Sequence, residues 1–164
     1  MVYLKKYSWI LVTLIVLALD QLSKRLILGN FAIGETVSIL PVLNITLIFN
    51  GGAAFSFLNT AGGWQRWLFI GVAILVSIMI IVQQLQQRIQ RPLSNFAMAL
   101  ILGGALGNLW DRLVYGMVVD FIQCHIGNWY YPIFNFADAA ITIGAIILIF
   151  VIARSERSER RGNP

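Results

Sequence analysis

The chain has 164 residues, of which 59% are hydrophobic and 12% charged, with a net charge of +5, against about 25% charged residues in soluble domains. With a mean hydropathy of +0.78, this composition excludes a water-soluble globular domain and points to an integral membrane protein. Its basic excess then reports orientation and contact with anionic lipid rather than a nucleic-acid partner.

A hydrocarbon core about 30 Å thick takes about 20 helical residues to cross, and four segments fit. In the first, residues 7–28, Lys5 and Lys6 precede the apolar run, and Asp20, Lys24 and Arg25 occupy the second half. No small-residue cleavage site follows, so the segment reads as a retained signal anchor. The loop 29–63 is too apolar for a linker. Within it VLNITLIF (42–49) has the β-branched content and partial alternation of a strand. Asn50, Gly51 and Gly52 then supply a turn, and residues 53–58 a short interfacial helix.

The second crossing, 64–83, is clean apart from Gln65 and Arg66 at its start, and a glutamine-rich connector leads through Pro92. The third, 95–112, is rich in small residues; Gly103 and Gly107 give the GxxxG spacing that lets helices approach closely. A second loop, 113–132, precedes the fourth crossing at 133–153. Residues 155–164, SERSERRGNP, form a polar tail expected to be disordered.

Four crossings put both ends on one side. Lys5, Lys6, Arg88, Arg91, Arg154, Arg157, Arg160 and Arg161, eight of the twelve cations, flank that side and make it cytoplasmic. The loops 29–63 and 113–132 contain no Lys or Arg and face outward. The expected architecture is mainly α: one membrane-embedded domain over residues 1–154, four transmembrane helices, and a small extracytoplasmic loop region that contains β-structure.

Acids are few, and Glu156 and Glu159 belong to the tail. Asp20, Asp111, Asp120 and Asp138 lie in or beside apolar segments, where ionisable groups are costly and become functional candidates. All four converge on the outer interface, while the inner helix halves are nearly featureless. A proton or ion path needs polar groups through the whole bilayer, so this distribution favours a site at one surface over the alternative of a small ion- or proton-coupled transporter.

Each aspartate also has a purely structural reading. Asp20 and Lys24 share a helix face at i, i+4 and can neutralise one another. Asn108, Asp111 and Arg112 fall at i, i+3 and i+4, the spacing of a local ion pair or polar network. Asn135 can cap the fourth helix with Asp138 in its first turn, favoured by the helix dipole. Asp120, in GMVVDFI, has no cation within seven residues, and a lone carboxyl in an apolar setting has its pKa raised, further so beside a second carboxylate. That is the electrostatic pattern of an aspartic-protease dyad.

Other chemistries lack parts. One histidine, His125, and one cysteine, Cys124, rule out a multi-histidine metal site, a cysteine cluster and a disulfide, and leave little for a serine triad. A Ser/Lys peptidase would use Lys24 with Ser23 or Ser56, but Asp20 one turn away would hold Lys24 protonated.

Five segments, LDQLSK (19–24), NGGAAFSFL (50–58), GGALGNLWDR (103–112), VVDF (118–121) and FNFAD (134–138), together and in this order resemble the bacterial lipoprotein signal peptidases, or signal peptidase II family. The resemblance covers about residues 9–150. It implies an aspartyl endopeptidase of the bacterial inner membrane, without cofactor or metal. Such an enzyme removes signal peptides from prolipoproteins, cutting before the diacylglyceryl-modified cysteine. Its catalytic pair falls on Asp120 and Asp138. Its other motif positions fall on Asp20, Lys24, Asn50, Gly52, Ala53, Asn108, Asp111, Arg112 and Asn135, which would orient the dyad and hold substrate. Partners would be the lipidated signal peptide and membrane lipid, with a monomeric enzyme and no nucleic acid. Cys124 and His125 belong to none of these motifs. The outer loop would then act as a clamp or lid, and the dipole of the fourth helix would favour charge on Asp138, leaving the shared proton on Asp120.

Overall fold

The computed structural model describes residues 7–52, 63–86 and 92–162, with side chains as far as residue 155. Four helices carry most of the chain: α1 (Ser8–Asn30), α2 (Trp64–Gln86), α3 (Pro92–Val114) and α4 (Phe136–Gly162). Between them lie the strands β1 (Thr36–Leu40), β2 (Leu43–Asn50), β3 (Val118–Ile126) and β4 (Trp129–Tyr130). Helices α2 and α3, and residues Phe136–Ser155 of α4, are long and apolar enough to cross a membrane. Helix α1 matches the first two in length but carries Asp20, Lys24 and Arg25 in its second half. In hydrocarbon every backbone N–H and C=O must be satisfied within the segment, which a continuous helix achieves. Large apolar side chains such as Leu14, Leu26, Trp67, Leu75, Ile146 and Phe150 point outward, the reverse of a protein packed for water.

Helix α3 is the central post, in contact with α1, α2 and α4 and buried along most of its length. Its small residues permit this. A Cβ on Gly103 would stand 2.7 Å from that of Val16, and one on Gly107 would strike the Asp20 carboxylate, so the GxxxG face seats α1. Gly104, on the other side, leaves room for the Ala137 carbonyl of α4. A core of Trp9, Ile80, Met98, Ala99 and Leu102 fills the far end of the bundle. That end is less featureless than its sequence suggests. Thr13 donates to the Ala99 carbonyl at 3.2 Å and Gln84 to that of Asn95 at 3.0 Å, and Ser77 and Ser94 are buried. All are neutral groups of the kind that join helices in lipid.

The strands form one antiparallel sheet in the order β1-β2-β3-β4. The predicted strand 42–49 is β2. Strands β1, β3 and β4 are additions to a region read mostly as loop, and β3 pairs with β2 so that Asp120 lies opposite Ile48 and Val118 opposite Asn50. The predicted short helix at 53–58, with Ala53 and Ser56, lies outside the described residues. Two boundaries move: α3 opens at Pro92 rather than 95, proline being suited to a first helical position, and α4 opens at Phe136 rather than 133 because Phe134 is held in a bridge to Ile122. The tail, expected to be disordered, continues α4 to Gly162. Extending an existing helix needs no new nucleus, and SERSERR contains no helix breaker.

Candidate active site

The site is assembled where α1, α3, β3 and the start of α4 meet. Asp20 and Lys24 sit one turn apart on α1, and Lys24 Nζ reaches Asp20 Oδ2 and Asp111 Oδ2 of α3, each at 2.8 Å. Its third donor goes to Asn108 Oδ1 at 3.0 Å. All three groups of this bridge are nearly solvent-free, with Asp20 and Asp111 at 0% and Lys24 at 2% exposure. The cluster also fixes two other elements. Asp20 Oδ1 accepts from the Ala137 N–H at the start of α4, at 3.0 Å. Asp111 Oδ2 accepts from the Val119 N–H, the residue before Asp120, at 3.1 Å. Three chain segments far apart in sequence are thereby tied to one buried lysine.

Asp138 is held by its own helix. Asn135 Oδ1 accepts from the Asp138 N–H at 2.9 Å while Asp138 Oδ2 accepts from the Asn135 N–H at 3.3 Å, a reciprocal capping box at the start of α4. The remaining oxygen, Oδ1, takes the Asn108 amide at 2.8 Å. The bridge between Ile122 and Phe134 sets Asn135 beside Asp120, so the Asn135 amide donates to Asp120 Oδ1 at 2.7 Å. Asn50, at the end of β2, donates to Asp120 Oδ2 at 2.9 Å, while its own oxygen accepts from the Gly52 N–H at 2.9 Å and shapes the turn.

Asp120 and Asp138 both line one cleft of about 670 Å³, whose walls include Val42, Ile126, Trp129, Ile133, Phe134 and Ile143. Burial, and then the neighbouring Asp138 carboxyl, push Asp120 up to about 7 from an ordinary 3.8, against the opposing pull of the Asn50 and Asn135 amides. Two carboxyls at the end of an apolar cleft, one able to carry a proton near neutrality, can polarise a carbonyl and activate water. Among the described residues no group of three or more His, Cys, Asp or Glu is placed to hold a metal ion.

A family model described as Signal peptidase (SPase) II matches residues 12–154. The chain belongs to the signal peptidase II family. It is therefore a peptidase. The lipoprotein signal peptidase of Salmonella newport is 50% identical over 141 residues, which are 86% of this chain and 85% of that protein. The lipoprotein signal peptidase of Escherichia fergusonii is 49% identical over 141 residues, 86% of each. Two solved structures, each described as a bacterial membrane enzyme solved by the in meso method, share the fold. One has a TM-score of 0.83 at 33% identity, over 91% of this chain and 89% of its own. The other has a TM-score of 0.77 at 34% identity, over 88% and 92%.

Of the residues singled out in the sequence, Asp20, Lys24, Asn50, Asn108, Asp111, Asp120, Asn135 and Asp138 form one connected set of hydrogen bonds and ion pairs, and Gly52 joins it through its N–H. Arg112 departs from the local ion pair its spacing suggests. Its guanidinium donates to the Gly52 carbonyl at 3.0 Å and to that of Asn108 at 3.3 Å, and lies 5.1 Å from the Phe69 ring centroid. Lys24 takes Asp111 instead. Ala53 lies outside the described residues. Two contributors had no signal in the spacing. Gln21 donates to Asp20, to the Gly107 carbonyl and to Asp111 Oδ1, the last at 2.9 Å. Arg66 reaches the Arg112 and Leu113 carbonyls at 2.9 and 3.3 Å and caps the end of α3. Both act on residues far along the chain, which no local pattern reveals.

Proposed function

We propose that this chain is an aspartyl endopeptidase of the bacterial inner membrane that removes the signal peptide from diacylglyceryl-modified prolipoproteins, with Asp120 and Asp138 as the catalytic pair. One observation carries the reading: two carboxyls from separate elements, β3 and α4, line a single apolar cleft, and among the described residues no cation is hydrogen-bonded to either. Four transmembrane helices within a single domain over residues 1–154, both termini in the cytoplasm and a site at the outer face are the topology this reading adopts. Its supports are the cation distribution and the clustering of aspartates at one end. The enzyme acts as a monomer on a lipidated signal peptide held in membrane lipid, without cofactor or nucleic acid.

The mechanism starts with the proton on Asp120. Asp138 accepts a proton from water as the water oxygen attacks the carbonyl carbon before the lipidated cysteine, and Asp120 gives its proton to the carbonyl oxygen. The gem-diol collapses as Asp138 protonates the cysteine nitrogen, the C–N bond breaks and Asp120 recovers a proton from one hydroxyl. The pair ends as it began. Asn50, Asn108 and Asn135 hold the carboxyls in place, the Asp20–Lys24–Asp111 bridge holds the elements that carry them, and Arg112 with Gly52 shapes the outer-loop turn.

A Ser/Lys mechanism has little support. All three donors of Lys24 are engaged and the Ser23 hydroxyl donates to the Asp20 carbonyl at 2.7 Å. The transporter alternative needs ionisable groups along the bilayer, and among the described residues the buried polar groups at the far end of the bundle are neutral. The deciding experiment is cleavage of a diacylglyceryl-modified prolipoprotein by purified protein in detergent, with Asp120→Asn and Asp138→Asn checked for folding by thermal melting. Folded but inactive variants support the dyad; near-normal turnover in either removes it.

A further inference from the structure

Four residues of α4 line the cleft: Asp138, Ala139, Thr142 and Ile143. Their spacing of i, i+1, i+4 and i+5 puts them on one flank of the helix, while Ala137 and Gly144 carry its close contact with α3. Thr142 therefore stands directly beyond Asp138, one turn or about 6 Å along the axis, inside the stretch Phe136–Ser155 that is long and apolar enough to cross a membrane. It is exposed, so packing does not account for it. Nor does its hydroxyl close on its own helix. A threonine within a helix can donate to the carbonyl three or four residues back, as Ser23 does to the Asp20 carbonyl. Thr142 makes no such bond to Ala139 or Asp138, and its hydroxyl has no hydrogen-bond partner among the described residues. In hydrocarbon an unmet hydroxyl costs free energy, and an occupant of the cleft can supply the acceptor.

We infer that Thr142 is a specificity-determining residue whose hydroxyl donates to a carbonyl oxygen of the bound substrate, one helical turn along α4 from the dyad. The substrate proposed above has the complementary need. For the scissile bond to reach the dyad, the membrane helix of the signal peptide has to end short of it, and the last four carbonyls of a helix have no partner within that helix. In hydrocarbon each of them needs a donor. The ester carbonyls of the diacylglyceryl group are acceptors of the same kind and form the second source. The inference rests on the dyad reading, because it takes the cleft as the substrate's path.

Thr142→Val keeps the shape of the side chain and removes the donor, whereas Thr142→Ser keeps the donor and removes a methyl group. With the full-length protein in detergent and a diacylglyceryl-modified prolipoprotein, Thr142→Val is expected to raise KM about three- to tenfold with kcat near the wild-type value. The contact is made alike before and during the reaction, so it acts on binding alone. Thr142→Ser should keep a KM close to wild type. Both variants should melt with wild type, the residue being exposed; should Thr142→Val fail to fold, Thr142→Ala against Thr142→Ser reads the same donor. A dialkyl ether analogue of the lipid separates the sources. If wild type handles it as poorly as Thr142→Val handles the ester, the partner is the lipid ester. If wild type handles it normally while Thr142→Val stays impaired, the partner is a peptide carbonyl. A KM unchanged in the donor-less variant, or raised as much in Thr142→Ser, overturns the inference. Either result leaves cleavage intact, whereas failure of the dyad reading would appear as cleavage by Asp120→Asn.

Discussion

Asp20 and Asp111 meet between α1 and α3 with Lys24 bonded to both, whereas Asp120 and Asp138 meet between β3 and α4, where their hydrogen-bond donors among the described residues are amides. The two clusters share walls and even a residue: Asn108 accepts from Lys24 with its oxygen and donates to Asp138 with its nitrogen. What separates them, among the described residues, is a cation bonded directly to the carboxylates; Arg112 acts on Asp138 and Asp120 only through space. A buried carboxylate with a lysine bonded to it is neutralised and serves as a fastening. A buried carboxylate pair with only neutral donors retains its repulsion and is relieved by sharing a proton, which is the state acid–base chemistry requires. Under the proposed function the same side chain thus does two jobs a few residues apart, and its partner decides which.

Substitution should separate the jobs. Asp120→Asn and Asp138→Asn are expected to lower kcat about 10³- to 10⁴-fold while the protein still melts cooperatively near the wild-type temperature. Cleavage assays beside thermal melts read both quantities, and a variant that loses both would assign that aspartate to the fastening. Lys24→Met should do the reverse. It leaves two buried carboxylates facing each other, and breaking such a pair costs about 3–5 kcal/mol. The melting temperature should fall sharply, and adding Asp111→Asn should recover part of it. A stable, inactive Lys24→Met would instead move lysine into the chemistry.

A smaller effect tests the scaffold without touching either cluster's charges. An Ala Cβ at Gly104 would collide with the Ala137 carbonyl, one residue before Asp138. Gly104→Ala should therefore cost about 1–3 kcal/mol of stability and lower kcat more than it raises KM, since α4 can yield only by shifting its first turn. Wild-type kinetics in this variant would mean that the dyad tolerates movement of α4.

These contrasts also explain what could be read from sequence. The helices announced themselves by apolar length, and the Asp20–Lys24 pair and the Asn135–Asp138 cap by spacing of four and three, because a helix fixes which side chains are neighbours. Asp138 closes the capping box its spacing suggests, and the same residue lines the cleft. The bond from Lys24 to Asp111 and the three bonds of Gln21 were invisible, since they join α1 to α3 and depend on how closely Gly107 lets those helices approach. Strand β3 was hidden by its length of apolar residues, VVDFI, which fits a buried helix as well as a buried strand. Asp120 stood out only because nothing near it in sequence could neutralise it.

The finest test of the comparison is titration. Asp120 is raised from 3.8 to about 7, so the folded chain holds this proton more tightly than the unfolded one. Its contribution to stability is complete below the unfolded value and is lost as pH rises through about 7, the sign expected for a raised pKa. Melting temperature followed from about pH 4 to 8 should therefore fall more steeply for wild type than for Asp120→Asn, which cannot titrate. In the same window kcat/KM should decline on the alkaline side near 7 as Asp120 loses the proton it must donate. Asn50→Ala removes an N–H that favours the charged carboxylate and should carry that decline to higher pH. If the decline stays in place in Asn50→Ala, or the melting slope persists in Asp120→Asn, the proton sits elsewhere in the coupled pair, and Asp138 becomes the group that starts protonated.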